Sequence, residues 1–147
     1  MRKLLFVLMS VAVLASYASN KRNVVHEKEY TMQVLTTDDD KKSVGEIIKL
    51  LADLADNTTL KIAKAKYAED FVTAMEEYYI KLKEYRKKYG SILSNASEDE
   101  VMKYTKELDT IKDLEETFEF LLDERFDGGK KLTPQQIYRL QKAISEI

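Results

Sequence analysis

From Ser43 to the chain end, apolar residues recur at steps of three and four, the spacing of helices that bury one face. Ser43-Val44-Gly45-Glu46 fits a capping box, in which the Ser hydroxyl and the Glu carboxylate each satisfy a free backbone N–H. Ile47, Ile48, Leu50, Leu51, Leu54 and Ala55 follow at helical spacing. Asp56-Asn57-Thr58-Thr59 then weakens the pattern. It reads either as a turn with a new cap at Asn57 or Thr58, or as a polar patch on one rod, because Thr58 keeps the step from Leu54 to Ile62. The sequence tilts towards a break or kink here.

A strong helix signal runs from Thr59 to Tyr89. At 100° per residue, Tyr67, Phe71, Ala74, Tyr78, Leu82, Tyr85 and Tyr89 fall within an arc of roughly 80°. Ala65, Ala68, Val72, Met75 and Tyr79 form a second stripe beside it. Together they make an apolar face about half the circumference wide, more than a single partner helix covers, so at least two neighbours are predicted. Gly90 is expected to stop this helix, with Arg86, Lys87 and Lys88 in the last turn, where cations suit the dipole.

The third element is expected to start at Ser94 to Ser97, with Glu98, Asp99 and Glu100 in its first turn. Val101, Tyr104, Leu108, Ile111, Phe118 and Leu122 carry its stripe, interrupted at Glu115 and widened by Leu114, Leu121 and Phe126. Asp127-Gly128-Gly129 is a strong stop. The last helix starts at Leu132-Thr133-Pro134-Gln135-Gln136, where Thr133 caps, Pro134 takes the first helical position and Gln136 completes the capping box. Ile137, Leu140, Ile144 and Ile147 form its narrow stripe.

Ahead of these helices stands a different pattern. Arg2 and Lys3 precede a twelve-residue apolar run, Leu4 to Ala15, broken only by Ser10; Ser16 and Ala18 suit a cut after Ala18. This is the layout of an export signal, and twelve apolar residues fall short of the ~20 that span a bilayer. Leu14-Ala15-Ser16-Tyr17 resembles the lipobox of bacterial lipoproteins with Tyr17 in place of the lipidated Cys. A tyrosine forms no thioether, so a cleavable leader and release are expected, into the periplasm, the cell envelope or the exterior of a bacterium; membrane association would require a retained leader. Residues 19–42 read as a flexible tether, with a charge run at Asp38-Asp39-Asp40-Lys41-Lys42. The fold class is all-α: three or four helices in an antiparallel bundle over residues 43–147, after the leader (1–18) and the tether.

Charge and composition narrow the function. Without residues 1–18 the chain keeps 129 of its 147 residues; losing Arg2 and Lys3 takes 24 basic residues to 22, against 26 acidic, a net −4. No basic block stands out, which argues against nucleic acid. The chain has no cysteine, which excludes disulfides, thiol catalysis and Cys-ligated zinc. His26 is the single histidine and reads as a surface residue of the tether. Asp38 to Asp40 read as a solvated run rather than a cation site. Asp123 to Pro134 fails as a calcium loop, with Arg125 and Pro134 where acidic ligands are needed. No metal, cofactor or catalytic group is assigned. Glu115 is expected at the seam's edge beside a Lys, the alternative being a buried functional carboxylate. Asn57-Thr58-Thr59 and Asn95-Ala96-Ser97 match the glycosylation sequon but read as caps or turns in a bacterial protein.

The tyrosines are the remaining candidates. Tyr packs its ring and keeps its hydroxyl wet, so the stripe suits core and interface packing. Left partly uncovered, Tyr67, Phe71, Tyr78, Tyr85 and Tyr89 form the preferred partner-binding face, for a protein partner of unknown identity or a second copy in a homodimer. Leu132-Thr133-Pro134-Gln135-Gln136 also matches the L-T-x-x-Q motif of the small periplasmic Spy/CpxP-type proteins. The chain resembles that exported, helical, cysteine-poor family in this motif, which it carries once where the family usually carries it twice. The resemblance implies a periplasmic chaperone or stress-sensor role with a dimeric helical cradle for unfolded chains. The expectation from the residues themselves is a non-enzymatic envelope protein that binds another macromolecule.

Overall fold

The computed structural model describes residues 42–147; the leader, nearly all of the tether, His26 and Asp38 to Asp40 lie outside them. The described residues form an all-α bundle with no strand among them. Helix α1 spans Val44–Lys64, α2 Ala68–Ser94, α3 Glu98–Met102, α4 Thr105–Phe126 and α5 Pro134–Ser145, with a 3₁₀ turn at Asp127–Gly129.

α1 begins as its first four residues demand. The Glu46 N–H donates to Ser43 Oγ at 3.2 Å, and the Ser43 N–H to Glu46 Oε2 at 2.8 Å. The helix then runs unbroken through Asn57, contrary to the expected kink. The reason is local: the Thr58 and Thr59 hydroxyls donate to the carbonyls of Leu54 and Ala55, both at 2.8 Å, so neither competes for backbone elsewhere. Thr58 turns inward and is buried among apolar neighbours.

The break falls instead at Ala65 to Tyr67, inside what the periodicity joins into one helix from Thr59. No Pro or Gly marks it. A residue some sixty positions away secures it: Arg125 of α4 donates from Nη1 to the carbonyls of Ile62 (3.3 Å) and Ala65 (2.7 Å), and from Nη2 to that of Ala63 (3.0 Å). The guanidinium supplies charged donors to the carbonyls of the helix end, where Ile62 also accepts from the Ala65 N–H at 3.3 Å.

α2 passes through Gly90 to Ser94, a turn beyond the expected stop. One glycine costs a helix about 1 kcal/mol, and the extra turn buries Leu93 and half-covers Ile92. Ser97 caps α3, accepting from the Glu100 N–H at 3.2 Å. The expected third helix is split at Lys103 and Tyr104. Tyr104 leaves helical geometry (φ −108°, ψ 39°) as its phenol packs over Gly45 of α1, where a Cβ would overlap the ring. α4 ends at Asp127, Gly128 and Gly129, all with positive φ (51°, 65° and 95°), which turn the chain back. α5 starts on the Thr133–Gln136 capping box with Pro134 in the first turn.

The topology follows from these ties. Lys61 pairs with Glu77 at 3.2 Å, so α1 and α2 are antiparallel. Gly45 meets Tyr104 and Ile62 meets Arg125, so α1 and α4 are parallel neighbours. Glu69 meets Arg139 and Lys83 meets Glu146, so α5 lies on α2 and runs in its direction. Ile47, Ile48, Ala55, Ile62, Phe71, Val72, Met75, Tyr79, Ile111, Leu114 and Phe118 fill the centre.

Candidate partner-binding surface

The tyrosine series does not share one exposed face. Phe71 is fully buried, its ring stacked on Phe118 at 5.3 Å and tilted against Phe126 at 4.9 Å. Tyr78 is buried edge-on to Tyr79 at 5.3 Å, and Tyr89 is buried. Tyr85 is half-buried, 6.0 Å from Tyr89. Lys81 and Lys88 place their ammonium groups 5.4 Å from the Tyr85 and Tyr89 ring centres respectively. Tyr67 alone of the series is open, at 72 % exposure. The width of the apolar face explains this placement. Half a circumference needs more than one covering helix: α1 and α5 pack along α2 and α4 reaches Phe71 through Phe118 and Phe126, so Phe71, Tyr78 and Tyr89 are core residues.

Glu115 sits half-buried at the seam, beside the phenols of Tyr78 and Tyr79. Burial pushes both phenols well above the usual tyrosine range, and the Glu115 charge adds to the shift. Both hydroxyls are therefore protonated at every physiological pH.

The surface that the sequence pattern missed lies where α5 meets α2. Arg139 donates from Nη1 to Glu69 (2.6 Å), from Nη2 to Glu76 (3.1 Å) and the Thr73 hydroxyl (3.2 Å), and from Nε to Glu76 (3.2 Å). Gln136 Nε2 donates to Glu69 at 3.0 Å. The Gln136 bond and then the Arg139 guanidinium hold the Glu69 carboxyl below its ordinary range. The two carboxylates in turn raise the Arg139 guanidinium above its own. Glu69, Thr73 and Glu76, spaced by four and three, were the available signal: one polar edge on a helix otherwise read for its apolar face.

Exposed apolar side chains lie at this end of the bundle. Tyr67 stands two residues before Glu69; Ile137 and Tyr138 follow Gln136, with Tyr138 62 % exposed. Leu60 near the end of α1 and Phe120 near the end of α4 are exposed at the same end. Single exposed apolar residues are ordinary; among the described residues Ile80 and Met102 are exposed elsewhere, and these five at this end. Among the described residues no helix is long and apolar enough to cross a membrane, and no cluster of three or more His, Asp or Glu could hold a metal ion.

No known family, curated protein or solved structure matches this chain. The five residues that resemble the Spy/CpxP motif are used here to start α5: Leu132 is buried, Thr133 and Gln136 make the capping box, and Pro134 holds the first helical position.

Proposed function

We propose that this is an exported, non-enzymatic helical-bundle protein of the bacterial envelope that binds another protein. The contact is the exposed aromatic end around Glu69, with Tyr67 and Tyr138 as its anchors. The observation that carries this reading is the exposure of two tyrosines that flank the α2–α5 junction, Tyr67 two residues before Glu69 and Tyr138 two residues after Gln136, the Glu69 and Gln136 side chains being bonded to each other. Tyrosine anchors partners at low entropy cost because it has few rotatable bonds. The export half of the proposal rests on Arg2, Lys3 and the apolar run from Leu4 to Ala15.

The test is capture from envelope extract by the wild-type chain and by Tyr67→Ala/Tyr138→Ala. Both positions are surface, so the double variant keeps its fold. A partner held by the wild type and lost by the double variant supports the reading. A double variant that retains every partner overturns it. Sequencing the mature N-terminus tests export separately: a first residue of Ser19 supports it and retention of Met1 argues against it.

A further inference from the structure

α5 is attached unlike the other long helices. It buries Leu140 and Ala143, half-covers Ile144 and Ile147, and is otherwise held by a polar latch. The latch is Arg139 between Glu69, Thr73 and Glu76, with Gln136 on Glu69 and Lys83 on Glu146 at 3.5 Å. The peptide leading into α5 reverses at Asp127, Gly128 and Gly129, three successive residues of positive φ, the first of which carries a side chain.

We infer that α5 is exchangeable between two copies of this chain, each copy's α5 taking the seat on the other's α2. The seat is the acidic edge Glu69, Thr73 and Glu76, completed by Lys83, and it matches Arg139 and Glu146 whichever copy supplies them. What assigns α5 to its own chain is the reversal and the short loop it opens, in which the Lys131 N–H donates to the Phe126 carbonyl and that of buried Leu132 to Gly129. If residues 127–129 continue α4 in right-handed geometry, Asp127 leaves the left-handed region and α5 is carried away from its own α2. Every contact it gives up is then remade in trans, which is how an exchanged element builds a dimer without new chemistry. Tethering gives the intrachain seat an effective concentration of order millimolar, so the monomer dominates in dilute solution.

The charges of the latch supply the test. One full-length chain carries Arg139→Glu; a second carries Glu69→Lys and Glu76→Lys. Alone, each sets like charges against each other across the seat. In an exchanged heterodimer both seats are matched. The carboxylate introduced by Arg139→Glu in the first chain meets the two new lysines of the second, and Arg139 of the second chain meets Glu69 and Glu76 of the first. Mixing them at equal molar amounts is expected to give a one-to-one heterodimer by light scattering and native mass spectrometry. A mixture that remains two monomers overturns the inference. Gly128→Ala/Gly129→Ala in the wild-type chain is the second arm, since alanine strains the reversal but suits a continuous helix. It is expected to raise the dimer population at least tenfold, and adding Arg139→Glu is expected to abolish the gain. A double-alanine chain that stays monomeric at millimolar concentration also overturns the inference, and this arm decides if the charge variants fail to fold.

Discussion

Arg125 Nη1 lies 2.7 Å from the carbonyl of Ala65, and through this bond the end of α4 closes the end of α1. Replacing Arg125 with Ala leaves the carbonyls of Ile62, Ala63 and Ala65 without their charged donor. Loss of a charge-assisted bond at a part-buried site costs about 1–3 kcal/mol. The stability read from urea unfolding is expected to fall by that amount, and Arg125→Lys to restore only part of it, because an ammonium lacks the planar fork. A midpoint unchanged in Arg125→Ala would show that water replaces the guanidinium without cost.

The contact of Tyr104 with Gly45 makes a paired prediction. Gly45→Ala ordinarily stabilises a helix by about 1 kcal/mol, yet here the new methyl meets the phenol. Overpacking of this kind costs about 1–3 kcal/mol, so net destabilisation is expected. In a Tyr104→Ala background the same substitution should cost nothing or stabilise. Equal effects of Gly45→Ala in both backgrounds would remove the steric explanation.

Phe71 and Tyr67 separate core from surface within one tyrosine-rich series. Phe71→Ala removes a fully buried ring that stacks on Phe118, at an expected cost of about 3–5 kcal/mol. Tyr67→Ala is expected to change stability by less than about 0.5 kcal/mol. Thermal or urea unfolding of both variants gives the comparison. Similar losses at the two positions would contradict the burial described for them.

Stability should fall at both ends of the pH scale for different reasons. The folded Glu69 carboxyl titrates below its ordinary value of 4.5. Its contribution is therefore complete above about pH 4.5 and is lost as pH falls through the lower folded value. Glu69→Gln is expected to flatten that part of the acid limb. Tyr78 and Tyr79 are raised above their ordinary value of 10.0. Their neutral form favours the fold below that pH, and ionisation favours the unfolded chain above it. Tyrosinate absorbance should appear together with loss of helical signal, and Tyr79→Phe should move the transition to higher pH. Tyrosinate forming well before unfolding would show that the phenols are reached by solvent in the intact bundle.

What the sequence made legible was local chemistry. Ser43 with Glu46 and Thr133 with Gln136 are helix starts that need only their own neighbours, and the structure uses both; the start expected within Ser94 to Ser97 falls on Ser97. The Gly128-Gly129 reversal is of the same kind. The misplaced boundaries depend on distant partners. The turn at Ala65 is secured by Arg125, Tyr104 breaks its helix at a packing contact with Gly45, and Gly90 is overridden by the burial of Leu93. Helical periodicity correctly widened the face of α2 but could not say which of its residues the neighbours would cover. The Arg139 latch was hidden because the spacing of Glu69, Thr73 and Glu76 marks a polar edge but not the partner, 63 to 70 residues on, that it holds.

The parallel pairing of α1 with α4 also governs how fast this fold can assemble. The bonds that join them span 60, 62 and 63 residues. α1 and α2, by contrast, meet through neighbours such as Lys61 and Glu77, 16 apart. Closing the larger loop carries the greater entropic cost before any contact repays it. The α1–α2 hairpin therefore forms early, and the arrival of α4 is the slow event. Loosening the Arg125 tie should then show mainly as faster unfolding, with the refolding rate nearly unchanged.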